Sequence, residues 1–422
     1  PLRSDSLLIL HTFCNEGLRF VAGLRDFSVL RALALLCDDG HAHVVRVLLD
    51  LGPRITTKRH RRALLVSLAA IGGELPDDSS DLVMESFLFL QDLISVDGDT
   101  AASEALMNLA ARRFATARGG DEIFRFTQAL ATFMDSGDAD KGRRAADTLA
   151  DLAEALKDER CARLLVDRGL NASSSKVRFA TFWHAPDIAL ELRGVLSEDF
   201  VTTLVGMLRA AALADDVAEI RFEAAHALKR LAGEFCSERA DLCMACVFAL
   251  RQMALQGRTT SDRLFAARRL LDISSFTQDD MPTAMETCIA SLRDVVRNDD
   301  DHENRALVAS MLGYLAANFG GDADLSLRSV SALKDLARSC ARDSDRMFVS
   351  ARLLDTAMTV GRAGAAVSYK CVNALRIVAR DDAATRVREH AARLLEEFRR
   401  AETRELMRGA RNSGGKAGTL DG

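Results

Sequence analysis

Proline and aromatic residues are scarce in this chain. Five prolines, one Trp and two Tyr among 422 residues leave few obligatory breaks in a helix, since proline is the residue that most strongly interrupts one. A composition this rich in Ala and Leu instead favours an all-helical protein. Long uninterrupted apolar runs are also missing. Leu7–Leu10 and Ala32–Cys37 are apolar, but Arg3, Asp5, His11, Glu16, Arg19, Arg25, Asp26 and Arg31 break up the segment around them. Residues 1–37 are therefore neither a signal peptide nor a membrane helix, and they read as an opening helical pair. Positive charge is not in excess. Lys and Arg number 56 against 61 Asp and Glu, a net charge of −5, which argues against nucleic acid as the partner. Nine cysteines without a secretory context point to reduced thiols in an intracellular setting, cytoplasmic or nuclear.

What is present is a repeat. The stretch Cys246–Leu271 reads as two helices joined by a polar turn, and the same unit recurs along the chain. One anchor, the start of the first helix's apolar motif, falls at Leu204, Cys246, Cys288, Ser329 and Cys371, spaced by 42, 42, 41 and 42 residues. A second anchor, an arginine on the second helix, falls at Arg221, Arg263, Arg305, Arg346 and Arg388, always 17 residues after the first. Three- and four-residue offsets place Val247, Leu250 and Met253 on one face of the first helix. On the second helix, Ala224–Ala225 and Leu228 recur as Ala266–Ala267 and Leu270, Val308–Ala309 and Leu312, Val349–Ser350 and Leu353, and Ala391–Ala392 and Leu395. Small residues let two helices approach closely, and the leucine fills the remaining space. One hairpin cannot bury such a face alone, whereas stacked neighbours bury it as a continuous core.

The first half of the chain keeps the same register more loosely. Val44, Ser86, Phe126 and Cys161 occupy the first anchor at steps of 42, 40 and 35, and the next step, to Leu204, is 43. Arg61, Arg143 and Arg178 occupy the second anchor, with Ser103 standing where an arginine is expected. The period breaks between residues 161 and 200. There GLNASSS (169–175) reads as a loop, and Pro186 is expected to end or kink a helix. The break reads as a drifted repeat, a bend or a contact site rather than a domain boundary. The last helix is expected to run from Ala384 to Gly409 as a charged cap. Residues 410–422, RNSGGKAGTLDG from Arg411 on, are expected to be a disordered Gly-rich tail.

The motifs Ile220-Arg221-x-x-Ala224-Ala225-x-x-Leu228 and Val387-Arg388-x-x-Ala391-Ala392-x-x-Leu395, each preceded by an acidic turn, resemble the HEAT and armadillo families. The resemblance is to their architecture. It implies an all-α protein, a right-handed α-α superhelix, built as a single solenoid over residues 1–409 from nine to ten repeats of about 42 residues. It also implies that the second helices line the concave face, along which a partner protein or peptide binds. On those helices, offsets of five, six, eight and nine from the anchor arginine place Lys229, Arg230, Arg268, Arg269, Arg352 and Arg393 away from the Ala-Ala-Leu face. Such a stripe favours a protein or peptide partner of acidic character, although Asp272, Asp355, Glu396 and Glu397 dilute it.

No catalytic constellation is visible, and no cofactor or metal is implied. Cys243-x-x-Cys246 lacks a second ligand pair and reads as small buried hydrophobes in the core. His41-Ala-His43 reads as a surface turn, His226 and His390 as exposed helix positions, and Asp299–Asp301 with Glu303 as a solvated turn without the spacing of a calcium loop. Gly119-Gly120-Asp121 has no phosphate-loop context, and no serine shows the nucleophile-elbow pattern. The reading is an interaction scaffold rather than an enzyme. The alternative is a regulatory arm of a larger enzyme or a bilin-lyase-like subunit, an idea to which a chain beginning at Pro1 lends weight as a fragment or processed product.

Overall fold

The computed structural model describes residues 40–55, 58–97, 100–114, 119–135, 137–276, 281–318, 323–361 and 364–414. The expected opening pair within 1–37 and the last eight residues of the tail lie outside the described residues. Every regular element among the described residues is helical. Unit 1, Pro1–Leu204, holds α1 (Gly40–Leu51), α2 (Lys58–Gly72), α3 (Ser80–Asp97), α4 (Thr100–Phe114), α5 (Gly119–Met134), α6 (Ala139–Leu156), α7 (Glu159–Gly169), α8 (Ser175–Glu191) and the start of α9 (Glu198–Ala214). Unit 2, Val205–Gly422, holds the rest of α9 and α10 (Ala218–Phe235), α11 (Ala240–Gln256), α12 (Thr260–Phe276), α13 (Pro282–Asn298), α14 (His302–Asn318), α15 (Ala323–Ser339), α16 (Asp343–Val360), α17 (Ala365–Asp381) and α18 (Thr385–Gly414).

From α1 to α8 and from α10 to α18 the helices pack in sequence order, and each also packs on the one two places along, as α10 does on α11 and α12. This is a helical-hairpin solenoid, the expected architecture. The small-residue positions explain it. Ala224, Ala225, Leu228, Ala266, Ala267, Leu270, Val308, Ala309, Leu312 and Leu353 are all fully buried. Cys243, Cys246 and Cys288 are likewise fully buried, and burial pushes the Cys243 thiol up to about 12. These cysteines are core residues, as the repeat register predicted.

Four of the five anchor arginines of unit 2 join one repeat to the next, while among the described residues Arg388 in the last helix donates only to its own turn. Arg221 donates from Nε to Asp262 at 3.0 Å, Arg263 to Asp299 at 2.9 Å, Arg305 to Asp345 at 2.9 Å and Arg346 to Asp382 at 2.9 Å. The acceptors lie 41, 36, 40 and 36 residues further along the chain. Each arginine also donates backwards to a carbonyl of its own turn: Asp215, Gly257, Asp299 and Cys340. Both ends of the fork are thus fixed, which holds the hairpin turn against its own second helix and that helix against the next repeat. Asp299 is therefore no solvated turn residue. It is 8% exposed and accepts from Arg263, from Asn304 and from the amide of Asp301.

Unit 1 solves the same problem differently where the anchor is missing. With Ser103 in the arginine's place, Arg113 at the end of α4 makes the bridge. Its Nε and Nη2 each lie 2.7 Å from the Glu122 carboxylate at the start of α5, and Nη1 donates to the Leu75 carbonyl.

Several expectations need correction. Pro186 lies inside α8, which continues to Glu191 rather than ending. The Lys157–Asp158 turn, with Lys157 in the left-handed conformation, leads directly into α7, which is 11 residues long. Cys161 therefore falls in the first turn of α7, whereas Phe126 lies two turns into α5. That shortening accounts for the short 35-residue step. His41 and His43 belong to α1, not to a turn, and His41 reaches Glu74 at 3.4 Å. The last helix runs past Gly409 to Gly414.

Gly169 makes the compact crossing of α7 and α8 possible. A Cβ there would stand 1.9 Å from Thr181 Oγ1 and 2.8 Å from Thr181 Cβ and Cγ2. Gly169→Ala is expected to destabilise unit 1 by about 1–3 kcal/mol through overpacking. Adding Thr181→Ala should restore part of the loss. A denaturant titration of the three variants checks this, and an unchanged midpoint for Gly169→Ala would show that the crossing can open without cost.

Candidate functional site

The second helices of unit 2, α10, α12, α14, α16 and α18, lie side by side. The Ala-Ala-Leu faces of α10 and α12 and their counterparts on α14 and α16 point inward, whereas on α18 Ala391 is buried but Ala392 is exposed and Leu395 half-buried; the remaining positions form a surface. Arginines and aromatic rings are arranged there as pairs. The Phe222 and Phe265 rings, from α10 and α12, stack at 4.7 Å. The Arg269 guanidinium lies 4.5 Å over the Phe265 ring and is bound to Asp272 at 2.8 Å. Two second helices further on, Arg352 repeats the arrangement, 5.0 Å over Phe348 and 2.8 Å from Asp355. Between them α14 presents Leu307 and Tyr314, 45% and 55% exposed. The α14–α16 seam is closed by the Thr356 hydroxyl, 3.5 Å from the Gly313 carbonyl.

Of the six basic residues singled out in the sequence, Lys229, Arg230 and Arg269 gather around one point. Burial pushes the His226 imidazole down, and the charges of Arg269, Lys229 and Arg230 add to the effect. Burial raises the nearby Glu223 carboxyl against the pull of Arg230 and Arg269. Arg268 and Arg393 are exposed, whereas Lys229, Arg230, Arg269 and Arg352 are half-buried. His226 and His390 are half-buried too, not exposed as their helix positions suggested. Burial and the Arg393 charge lower His390.

The stripe is therefore not a bare row of cations. An aspartate three residues on neutralises each stacked arginine in part, and the ring beneath fixes its orientation. A guanidinium held this way loses little conformational freedom when it meets a carboxylate, and its aromatic support adds apolar contact area. The aromatic shelf escaped the sequence pattern. Phe265 and Phe348 stand two residues after their anchor arginines, but Phe222 stands only one residue after its own.

Unit 1 presents a surface of a different character on α6 and α8. His184 Nε2 and Asp147 Oδ1 are 3.1 Å apart, and Lys157 reaches Glu191 at 2.8 Å. Asp151, Glu154 and Asp187 lie between these two ties in the helix register. Desolvation raises both Asp151 and Glu154, against the opposing influence of His184. Burial alone would lower His184, but its bond to Asp147 and the charges of Asp147, Asp151 and Glu154 outweigh that and raise it.

No helix among the described residues is long and apolar enough to cross a membrane. No protein-family model matches the sequence, and no curated protein matches it. Among solved structures, the chain is similar to an engineered protein at 19% identity, covering 91% of this chain and 94% of that one, with a TM-score of 0.35. It is similar to Kap121p bound to RanGTP at 14% identity, covering 89% of this chain and 39% of that one, with a TM-score of 0.45. Against the karyopherin Kap121p bound to the extreme C-terminus of the phosphatase Cdc14p, identity is 12%, coverage 88% and 43%, and the TM-score 0.39. The chain thus spans about two fifths of the length of Kap121p.

Proposed function

We propose that this chain is a protein-interaction scaffold that holds an acidic segment of a partner along the second helices of unit 2. The observation that carries the reading is the pair of ring-supported arginines, Arg269 over Phe265 and Arg352 over Phe348. The exposed Leu307 and Tyr314 lie on the helix between them. A partner carboxylate can take the outward donors of either guanidinium, and apolar side chains beside it can cover Tyr314 and Leu307. Arg268 and Arg393 add exposed charge, and Lys229 and Arg230 extend the basic region onto α10. Aromatic and arginine residues are the types that dominate binding energy at protein interfaces. The described cysteines are free, which supports a reducing, cytoplasmic or nuclear setting.

The test is an affinity purification from the native source with the full chain and with Arg268→Glu, Arg269→Glu and Arg352→Glu combined. The variant is expected to lose one or more proteins that the unaltered chain retains, with helical content unchanged by circular dichroism. If both forms retain the same proteins, this face is solvated surface and the reading fails.

A further inference from the structure

We propose that unit 1 carries a separate docking surface, the outward face of α6 and α8, which takes an arginine-bearing segment of a partner protein. Two observations meet there. The first is an uncovered aromatic pair: Phe179 and Trp183, one turn apart on α8, are 38% and 53% exposed, with ring centroids 6.5 Å apart. Two exposed rings set side by side form an apolar patch that a partner can cover, and tryptophan is a residue type enriched at such interfaces. The second is the charge beside it. Asp187 and Glu191 continue the Phe179–Trp183 row along α8 at helical spacing. Asp147, Asp151 and Glu154 run parallel to them on α6. The ties from His184 to Asp147 and from Lys157 to Glu191 hold the two rows side by side. Arg143 also reaches Asp147, at 2.9 Å. Asp151 and Glu154 have no hydrogen-bonded or ion-paired partner among the described residues.

The chemistry selects the occupant. Indole is the best aromatic face for a cation, and arginine the cation that most often lies on one. A guanidinium flat on Trp183 still directs its edge donors outward, where neighbouring carboxylates accept them. Carboxylates repel phosphates, so nucleic acid and anionic lipid do not fit. An acidic segment of the kind proposed for unit 2 does not fit either.

Trp183 is the only tryptophan of the chain, so its emission reports on this surface directly. The probe is a synthetic decapeptide of alternating Arg and Ser, with Lys-for-Arg and Glu-for-Arg counterparts, titrated into the full chain. The Arg peptide is expected to saturate and to shift the Trp183 emission, the Lys peptide to bind more weakly, and the Glu peptide not to bind. With a fluorescein-labelled Arg peptide read by anisotropy, Trp183→Ala is expected to weaken binding roughly tenfold. Trp183→Phe should keep most of it, and Asp151→Asn with Glu154→Gln should weaken it severalfold. The triple arginine variant of unit 2 should leave it unchanged, so failure here and failure of the unit 2 reading are told apart. Affinity is also expected to fall as the pH is lowered through the raised His184 titration, because protonation of His184 adds a positive charge beside the site. Equal affinity of the unaltered chain, Trp183→Ala and the Asp151/Glu154 variant, at equal helical content, would overturn the proposal. Non-saturating binding, or preference for the Glu peptide, would overturn it as well.

Discussion

Glu122→Ala is expected to cost unit 1 about 3–5 kcal/mol, the range for removing one partner of a buried ion pair. Arg113 is fully buried, and Glu122 is 2% exposed. The carboxylate meets the guanidinium through two parallel contacts of 2.7 Å and also accepts from the Ser80 hydroxyl at 2.7 Å. Alanine would remove both of those contacts and leave a buried guanidinium without its carboxylate in a site from which water is excluded. Helix termini add to the loss: Glu122 lies in the first turn of α5 and Arg113 in the last turn of α4, each at the end that favours its charge. The pair itself is not a large source of net stability, because both charges had to leave water. Arg113→Met combined with Glu122→Met should therefore be much less destabilised than Glu122→Ala alone. Denaturant unfolding followed by circular dichroism checks both. A single variant no weaker than the double would mean that the guanidinium escapes to solvent when its partner is removed.

That pair marks the limit of what the sequence discloses. The hairpin register is legible because Ala224–Ala225 and Leu228 recur at a fixed interval, and a small-residue face must be buried wherever it stands. The anchor arginines are legible as markers, but their partners are not. Arg221 and Arg305 use the aspartate just before the next anchor, whereas Arg263 and Arg346 use the turn aspartates Asp299 and Asp382. No local rule separates these alternatives, since each acceptor lies most of a repeat away. Arg113 is harder still, because it does the work of an anchor ten positions beyond the empty slot at Ser103. At the unit 2 surface Asp272 and Asp355 were legible as residues that dilute the basic positions, but their pairing with Arg269 and Arg352 came from the structure. The unit 1 surface was not readable. It joins Asp147 and His184 across 37 residues, in the stretch where α7 is short and the register slips.

Asp345→Ala and Asp382→Ala are expected to differ, although both remove the forward acceptor of an anchor arginine. Arg305 and Asp345 have side chains only 4% and 7% exposed. Losing Asp345 strands a buried guanidinium on two carbonyls of its own turn, those of Asp299 and Asp300. About 3–5 kcal/mol follows from that, and His302 loses its contact with Asp345 at 3.2 Å as well. Arg346 is less dependent on Asp382. Its side chain is 11% exposed, and Asp343 lies 2.7 Å from Nη2 as a second acceptor. A loss of about 1.5–3 kcal/mol, the range for one charge-assisted hydrogen bond, is expected there. A repeat stack transmits such damage only to its neighbours. Amide exchange should therefore quicken in α13–α16 on losing Asp345, with α1–α8 still protected. That region includes the helices that carry Leu307, Tyr314 and Arg352, so Asp345→Ala should also weaken any partner held across them without altering a single contact residue. Equal exchange in both variants and the unaltered chain would show that the Ala-Ala-Leu faces alone fix the spacing of these helices, and that the arginine bridges add only to the turns.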